Sequence, residues 1–467
     1  MYKNQIEEYF HNHKDEMLND ICDLIRIRSD RSEAKEDMPF GEGPAKALKA
    51  ALELAEGMGF NTTNYDNYVG AIDFNDKEKQ LDILAHLDVV PVSDDWTVTK
   101  PFEPIMKDGK LYGRGSADDK GPALAALYAL KAVKDLNIPL SKNVRLILGT
   151  DEECGSSDIA YYYKKEKEAP MTFSPDADFP VINIEKGGLH SPFESKFEED
   201  NNLPRVVSMT SGVKVNVVPD TAIAVVEGFS EEEINKYCID AAKSTNLKFT
   251  FDKDGESWVI KAKGAGAHAS TPENGNNALT GMLQLLTSMP CANSEGFKKL
   301  CAVSKLFPHG DFKGEACGVK MSDDLSGELT ITLNIFKYTT SELSGIFDCR
   351  APLCATNENV RDVLRDNMAK DNIILSRDDM FPAHHVDENS EFIQTLLKCY
   401  EEYSGQKGEC IAIGGGTYVH HINNGVAFGC TMPGTDNNLH GDDEFAVVDE
   451  LLLSAKIFTQ VIIDLCK

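Results

Sequence analysis

The sequence predicts an α/β protein, an open sheet with helices on its faces, interrupted by a separate α+β insert of two similar halves. Three observations carry this. Residues 81–91, LDILAHLDVVP, begin with an apolar run suited to a strand covered on both faces. Strands and helices then alternate, and the strands of the first part run out into polar loops, at the edge where open α/β sheets bind ligands. Between about 186 and 385 the pattern becomes strand–helix–strand, twice over, and from about 386 the first style returns.

A chain of 467 residues is expected to form two domains. Lys+Arg 47 against Asp+Glu 76 leaves a net charge of −29. So acidic a surface disfavours nucleic acid and anionic membrane as partners. The opening stretch MYKNQIEEYFHNHKDEML is polar and lacks a signal core, and no run reaches the roughly 18 apolar residues of a transmembrane helix. The 12 cysteines are scattered without a CxxC pair, which argues against a zinc finger. The expectation is a cytoplasmic enzyme with reduced thiols.

The elements follow in order. An amphipathic helix is expected at 4–28, with Ile6, Phe10, Met17, Ile21, Leu24 and Ile25 on one side. A second, near 43–57, ends at Gly57 and Gly59. Short strands are expected at 68–74 and 81–87. The connection 91–111, broken by Pro91, Pro101 and Pro104, is long enough to be functional. In GRGSADDKGP, 113–122, Gly113 and Gly115 permit a tight backbone. Asp118 and Asp119 stand just before a helix with Leu124, Leu127, Leu130 and Val133 inward. Capping is the plain alternative for these acids; a phosphate loop is disfavoured because GxxxxGK[ST] is absent.

Strand 143–149 leads into Thr150-Asp151-Glu152-Glu153. Three successive acids repel one another unless a cation sits among them. Adjacent side chains on extended backbone point opposite ways, so Glu152 and Glu153 can serve different partners. A helix at 157–168 and SPDADFPVIN, 174–183, with Asp176 and Asp178, come next. The insert is expected to hold strands 205–210, 213–218, 221–227, 247–251, 257–262, 328–337 and 344–350. Its helices are expected at 230–245, 276–289, 294–306 and 357–370. The final part is read as helix 389–404, strand 409–413, GGGTYVHH (414–421), strand 425–429, PGTDNNLHGDDEF (433–445) and helix 446–465. GGGT lacks the Lys of a phosphate loop and reads as a loop at the substrate end. His420 and His421 read as surface residues, and His440 as an exposed loop residue among turn formers and acids.

His86, Asp88, Asp118, Glu152, Glu153, Asp176 and His440 thus gather at polar strand ends. Asp88, two residues beyond His86 and on the same face, can fix the imidazole tautomer. Two histidines and several carboxylates suit Zn²⁺ or Mn²⁺, and a shared carboxylate suits a two-metal site. Taken singly, each has a plainer reading as a cap, a core histidine or a solvated acidic turn.

Six segments carry a resemblance: LAHLDVVP, GRGSADDKG, GTDEECGSSD, SPDADFP, GAGAHASTPENGNNA and GGGT. In order and spacing, over essentially the whole chain, they resemble the co-catalytic zinc peptidases that include aminoacylase, carboxypeptidase G, succinyl-diaminopimelate desuccinylase and carnosinase. Within that family the likeness runs to the dipeptidase V group of Xaa-His, or β-Ala-Xaa, dipeptidases. The resemblance implies a zinc-peptidase catalytic domain, a mixed sheet flanked by helices, in residues 1–185 and 386–467, with an α+β lid of two similar halves in 186–385. It implies two Zn²⁺ per chain, with Mn²⁺ or Co²⁺ as substitutes. His86, Asp118 and Asp176 would hold one ion; His440, Glu153 and the same Asp118 the other. Asp176 rather than Asp178 rests on its 23-residue spacing from Glu153. The resemblance further implies Asp88 behind His86, Glu152 as general base, His268 on the oxyanion, and Asn216, Arg350 and Gly415 on the substrate. It implies a cis Asp118–Asp119 peptide.

The activity so implied is hydrolysis of dipeptides with a free N-terminus, by a monomer. Deacylation of N-acyl amino acids on the same fold is the alternative; a zinc-binding module without catalysis is disfavoured because the base, every ligand and Arg350 are present. The loop 433–444 departs from its relatives in Asn437, Asn438, Asp442 and Asp443, which bears on side-chain preference more than on metal binding.

Overall fold

The computed structural model describes residues 2–199, 201–376 and 378–467. They form two compact units. One comprises the chain through Ile184 with His385–Ile411 and Gly416–Lys467; the other comprises Glu185–His384 with Ala412–Gly415. The division falls one residue from the expected boundaries, and it assigns part of the GGGT segment to the second unit.

The first unit is built on a mixed sheet. Its strands run in the order Asn61–Tyr65, Val69–Asp73, Asn143–Gly149, Lys79–His86, Met171–Ser174, Gly425–Ala427, Val181–Glu185. The four strands from Asn143–Gly149 to Gly425–Ala427 are parallel, so their C-terminal ends lie along one edge. Helices Lys3–Ile25, Lys120–Asp135, Glu391–Ser404 and Val448–Cys466 pack with Leu81, Ile83 and Ala85 on one face. Leu84 and Ile147 look the other way, into a smaller cluster with Ile159, Tyr162 and Tyr418. That two-sided cover explains the unbroken apolar run before His86.

Two local features shape the sheet's polar edge. Helix Lys120–Asp135 begins pressed against the preceding turn: a Cβ at Gly121 would stand 2.0 Å from the Ser116 carbonyl oxygen, so only glycine fits. Asp82 and Arg145, opposite each other on adjacent strands, form a buried two-pronged pair at 2.8 and 2.7 Å. Asp82 also accepts the Ala169 N–H, tying the strand to the next segment.

The second unit holds one eight-stranded antiparallel sheet. Its order is Lys248–Asp254, Ser257–Lys263, Thr221–Glu227, Arg205–Ser211, Thr330–Tyr338, Glu342–Ala351, Gly187–Lys196, Ile374–Leu375. Two groups of four join where Met209–Ser211 pair with Phe336–Tyr338. Helix Glu231–Thr245 starts in a reciprocal Ser230–Glu233 cap, as an S-x-x-E pattern predicts.

Two expectations are corrected and one strand is added. The strand 213–218 shrinks to Val217–Val218, because Gly212 takes a positive φ of 79° and Val213 turns out to solvent. The helix 157–168 ends at Tyr162, and beyond it Glu166 is drawn to Lys79 and Tyr65 at 2.7 and 2.9 Å. Strand Gly187–Lys196 was not anticipated: its inward row includes Ser191 and Ser195, which hide the alternation. All twelve cysteines are free, and among the described residues no helix is long and apolar enough to cross a membrane.

Without Asp82 the buried Arg145 keeps only the Lys167 carbonyl at 3.0 Å and a Glu166 oxygen at 3.5 Å. Asp82→Ala is therefore expected to lower the unfolding free energy by about 3–5 kcal/mol, read from urea denaturation. A loss below about 1 kcal/mol, the scale of an exposed pair, would contradict the structural role given to it.

Candidate metal centre

His86 is the last residue of its strand and fully buried. Its Nδ1 lies 3.0 Å from the Asp88 carbonyl oxygen and 3.4 Å from the Asp88 carboxylate. The first contact fits an Nδ1–H donor, which leaves the Nε2 lone pair pointing into the site. There it meets Asp118 Oδ1 at 3.0 Å and Asp176 Oδ2 at 3.4 Å. Asp88 thus steadies His86 chiefly through its main chain. Its carboxylate accepts the N–H groups of Glu152 and Glu153, both at 3.1 Å, and so pins the turn that carries them.

That turn, Glu152–Cys154, is a short 3₁₀ segment rather than extended chain. It still separates the two glutamates. Glu153 Oε2 lies 3.3 Å from His440 Nε2, and His440 Nε2 lies 2.9 Å from Asp118 Oδ2. Glu152 joins neither group of potential ligands. Asp118 therefore offers one carboxylate oxygen to each histidine. Two sets result, His86–Asp118–Asp176 and Asp118–Glu153–His440, each with its donor atoms within 4.8 Å of one another. Asp178 is exposed and stands in neither. The Asp118–Asp119 peptide is cis, and Asp119 accepts the His86 N–H at 3.0 Å.

The charge balance shows what these sets lack. Burial raises the carboxyl pKa of Glu152, Glu153 and Asp176, and neighbouring carboxylates push the same way. Burial also works to raise Asp118, but hydrogen bonds with His440 and His86 win and hold it well below the usual range. Burial works to lower His86, yet Asp118, Asp176 and Asp88 together raise it well above its ordinary value. Hydrogen bonds to Asp118 and Glu153 raise His440 to about 11. Glu153 Oε1 is buried without a hydrogen-bond partner. Imidazole and carboxylate donors in this arrangement suit a divalent cation in place of the protons.

The remaining expected residues lie in the second unit. His268 ends the short strand Ala267–His268, paired with Val217–Val218, and its Nδ1 lies 2.6 Å from Ser270 Oγ. Next to it, the Asn216 carbonyl accepts the Ala269 N–H at 2.9 Å. Arg350 is buried; its Nε and Nη2 donate to Asp348 at 2.7 and 2.8 Å, and its Nη1 to the Gly414 carbonyl at 3.0 Å. A Cβ on Gly414 would come within 2.7 Å of Ser270 Cβ, which accounts for glycine beside Gly415 without a phosphate.

Sequence reasoning missed the supporting groups. Tyr418, in GGGTYVHH, donates to Asp158 at 2.5 Å, and its ring stands edge-on to His86 at 6.2 Å. Glu444, four residues after His440, is wholly buried and paired with Arg114 of the GRGS turn. A glutamate closing an acidic run gave no sign of burial; the fixed offset from His440 was the only available signal.

Residues 83–464 match peptidase family M20/M25/M40. The chain is 36% identical over 459 residues to YtjP of Bacillus subtilis (strain 168), covering 97% of this chain and 98% of that protein. It is 33% identical over 458 residues to the Beta-Ala-Xaa dipeptidase of Lactobacillus delbrueckii subsp. lactis, covering 97% of each. Human carnosine dipeptidase 1 shares the fold at a TM-score of 0.61 and 16% identity, covering 100% of this chain and 99% of that one. Aminoacylhistidine dipeptidase from Vibrio alginolyticus does so at 0.58 and 13%, covering 97% and 96%.

The raised values imply a definite pH response. Glu152, Glu153, Asp176, His86 and His440 all bind protons more tightly in the metal-free fold than unfolded. Their contribution is present below the ordinary values and is lost as pH rises through the raised ones, towards about 11 for His440. A cation competes with those protons. The gap in Tm between zinc-loaded and chelator-stripped protein should therefore widen from about pH 5 to about pH 9; a gap independent of pH would contradict the assignment.

Proposed function

Because the chain belongs to peptidase family M20/M25/M40, whose members hydrolyse peptide bonds, we propose that it is a dipeptidase that uses two Zn²⁺ and acts on dipeptides with a free N-terminus, of the Xaa-His or β-Ala-Xaa type. The observation that carries this is Asp118, with one oxygen toward His86 and the other toward His440. His86 and Asp176 would complete the ligands of one ion, and His440 and Glu153 those of the other; Mn²⁺ or Co²⁺ could substitute. Bound there, the ions would polarise the peptide carbonyl and lower the pKa of the attacking water towards about 7.

The chain's own groups account for the rest. Glu152 sits on the same pinned turn as Glu153 yet outside both ligand sets, and burial raises its carboxyl pKa. It would take the water's proton and pass it to the leaving amine. For substrate binding we assign Arg350, Asn216 and Gly415 to the carboxylate end, and His268 to the developing oxyanion, as the resemblance implies. Arg350 supports its part: Asp348 and the Gly414 carbonyl take three of its five N–H groups and hold the guanidinium, which leaves two for a substrate group. The acidic surface and reduced cysteines are consistent with a cytoplasmic enzyme, and we read it as a monomer.

Glu152→Gln keeps the shape and removes the base. It is expected to retain both metals and to lose about 10²–10⁴-fold in kcat on a dipeptide. A wild-type rate would refute the base, whereas loss of metal would exchange Glu152 and Glu153. Arg350→Ala is expected mainly to raise KM and to erode the preference for a free carboxylate over its amide; an unchanged carboxylate-to-amide ratio would remove Arg350 from the clamp. Faster turnover of N-acetyl amino acids than of free dipeptides would favour a deacylase instead.

A further inference from the structure

We propose that Glu444 is a positioning residue that holds the His440 loop in register with the Asp118 turn, and thereby sets the second ion's ligands against the first's; this rests on the two-ion reading above. Glu444 is fully buried. Its Oε1 accepts the main-chain N–H groups of Gly115, Ala117 and Asp118 at 3.1, 3.0 and 3.3 Å. Its Oε2 takes Arg114 Nη1 at 2.5 Å, and Arg114 Nη2 donates to the Gly441 carbonyl at 2.8 Å. The Glu444 carbonyl accepts the Gly113 N–H at 3.0 Å. One carboxylate thus grips the turn that presents Asp118, while its arginine grips the residue after His440.

The loop needs such a grip. Asn438, His440 and Asp443 have φ of 54°, 60° and 56°, the left-handed region that costs a residue with a side chain some energy, least for Asn, Asp and His, and three such positions within six residues call for tertiary support. Asp443 supplies the other hold, accepting from Thr97 N and Oγ1 at 2.9 and 2.6 Å and from Val98 N at 2.8 Å. His440 itself is exposed, so packing does not fix it. Groups behind metal ligands act by orienting them, and here the grip reaches Asp118 through its main chain and His440 through Gly441.

The two contacts of Glu444 can be separated. In Glu444→Gln the carbonyl oxygen still accepts from the 115–118 amides, but the new NH₂ group faces the Arg114 donor. The variant should keep the Asp118 turn and loosen the His440 loop. Stepwise zinc binding, measured by chelator competition on stripped protein, is expected to show the first ion unchanged and the second weakened at least about tenfold. The EPR signal of a coupled Mn²⁺ pair should give way to that of isolated Mn²⁺. Unchanged affinities in both steps would overturn the proposal. So would an equal loss in both accompanied by a lower Tm of the metal-free protein, which marks a merely structural role. Should Glu444→Gln not fold, Arg114→Lys decides: it keeps the charge but cannot reach both Glu444 and Gly441. The same selective loss supports the proposal, and wild-type affinities overturn it. Wild-type protein serves as the control for the underlying reading: if it binds a single ion, the two-ion reading fails and this proposal with it.

Discussion

Carboxylates crowded beside two imidazoles at the end of a buried sheet are the constraint on which the rest of the first unit depends. Asp118, Glu153 and Asp176 converge within hydrogen-bonding range of buried His86 and exposed His440. Buried like charges repel strongly at such distances. The same carboxylates raise the pKa of both histidines, that of His440 to about 11. On the two-ion reading proposed above, a pair of divalent cations would relieve that repulsion more completely.

The surrounding structure is arranged to keep that cluster in place. Parallel strands put His86, the Thr150–Glu153 turn and the Asp176 loop along one edge. Main-chain groups do much of the orienting: the Asp88 carbonyl on His86, the Glu152 and Glu153 amides on Asp88, the 115–118 amides on Glu444. Such contacts set the direction of a side chain without adding another charge to an acidic site. In the second unit, Asp348 does for Arg350 what Asp88 does for its turn, fixing a charged group before any substrate arrives.

Much of this was legible in the sequence where one residue type has one physical use. Strand 143–149 is found as expected, because an unbroken apolar run admits few alternatives. The choice of Asp176 over Asp178 came from spacing, and the structure brings Asp176 to the cluster. What escaped depends on partners distant in the chain. Strand Gly187–Lys196 carries inward serines that only the neighbouring strand's packing explains. The helix Ser157–Tyr162 gives way to turns, beyond which Glu166 pairs with Lys79, a partner far away in the chain. Glu444 and Arg114 pair across 330 residues, a contact that no local sequence pattern signals.

The central claim is that Asp118 is shared by two ions. Zinc-edge anomalous diffraction from crystals of metal-replete protein addresses it most directly. Two peaks are expected, one reached by His86 and Asp176 and the other by His440 and Glu153, with a different Asp118 oxygen on each. A single peak in fully loaded protein, or two peaks with Asp118 bound to only one of them, would contradict the account.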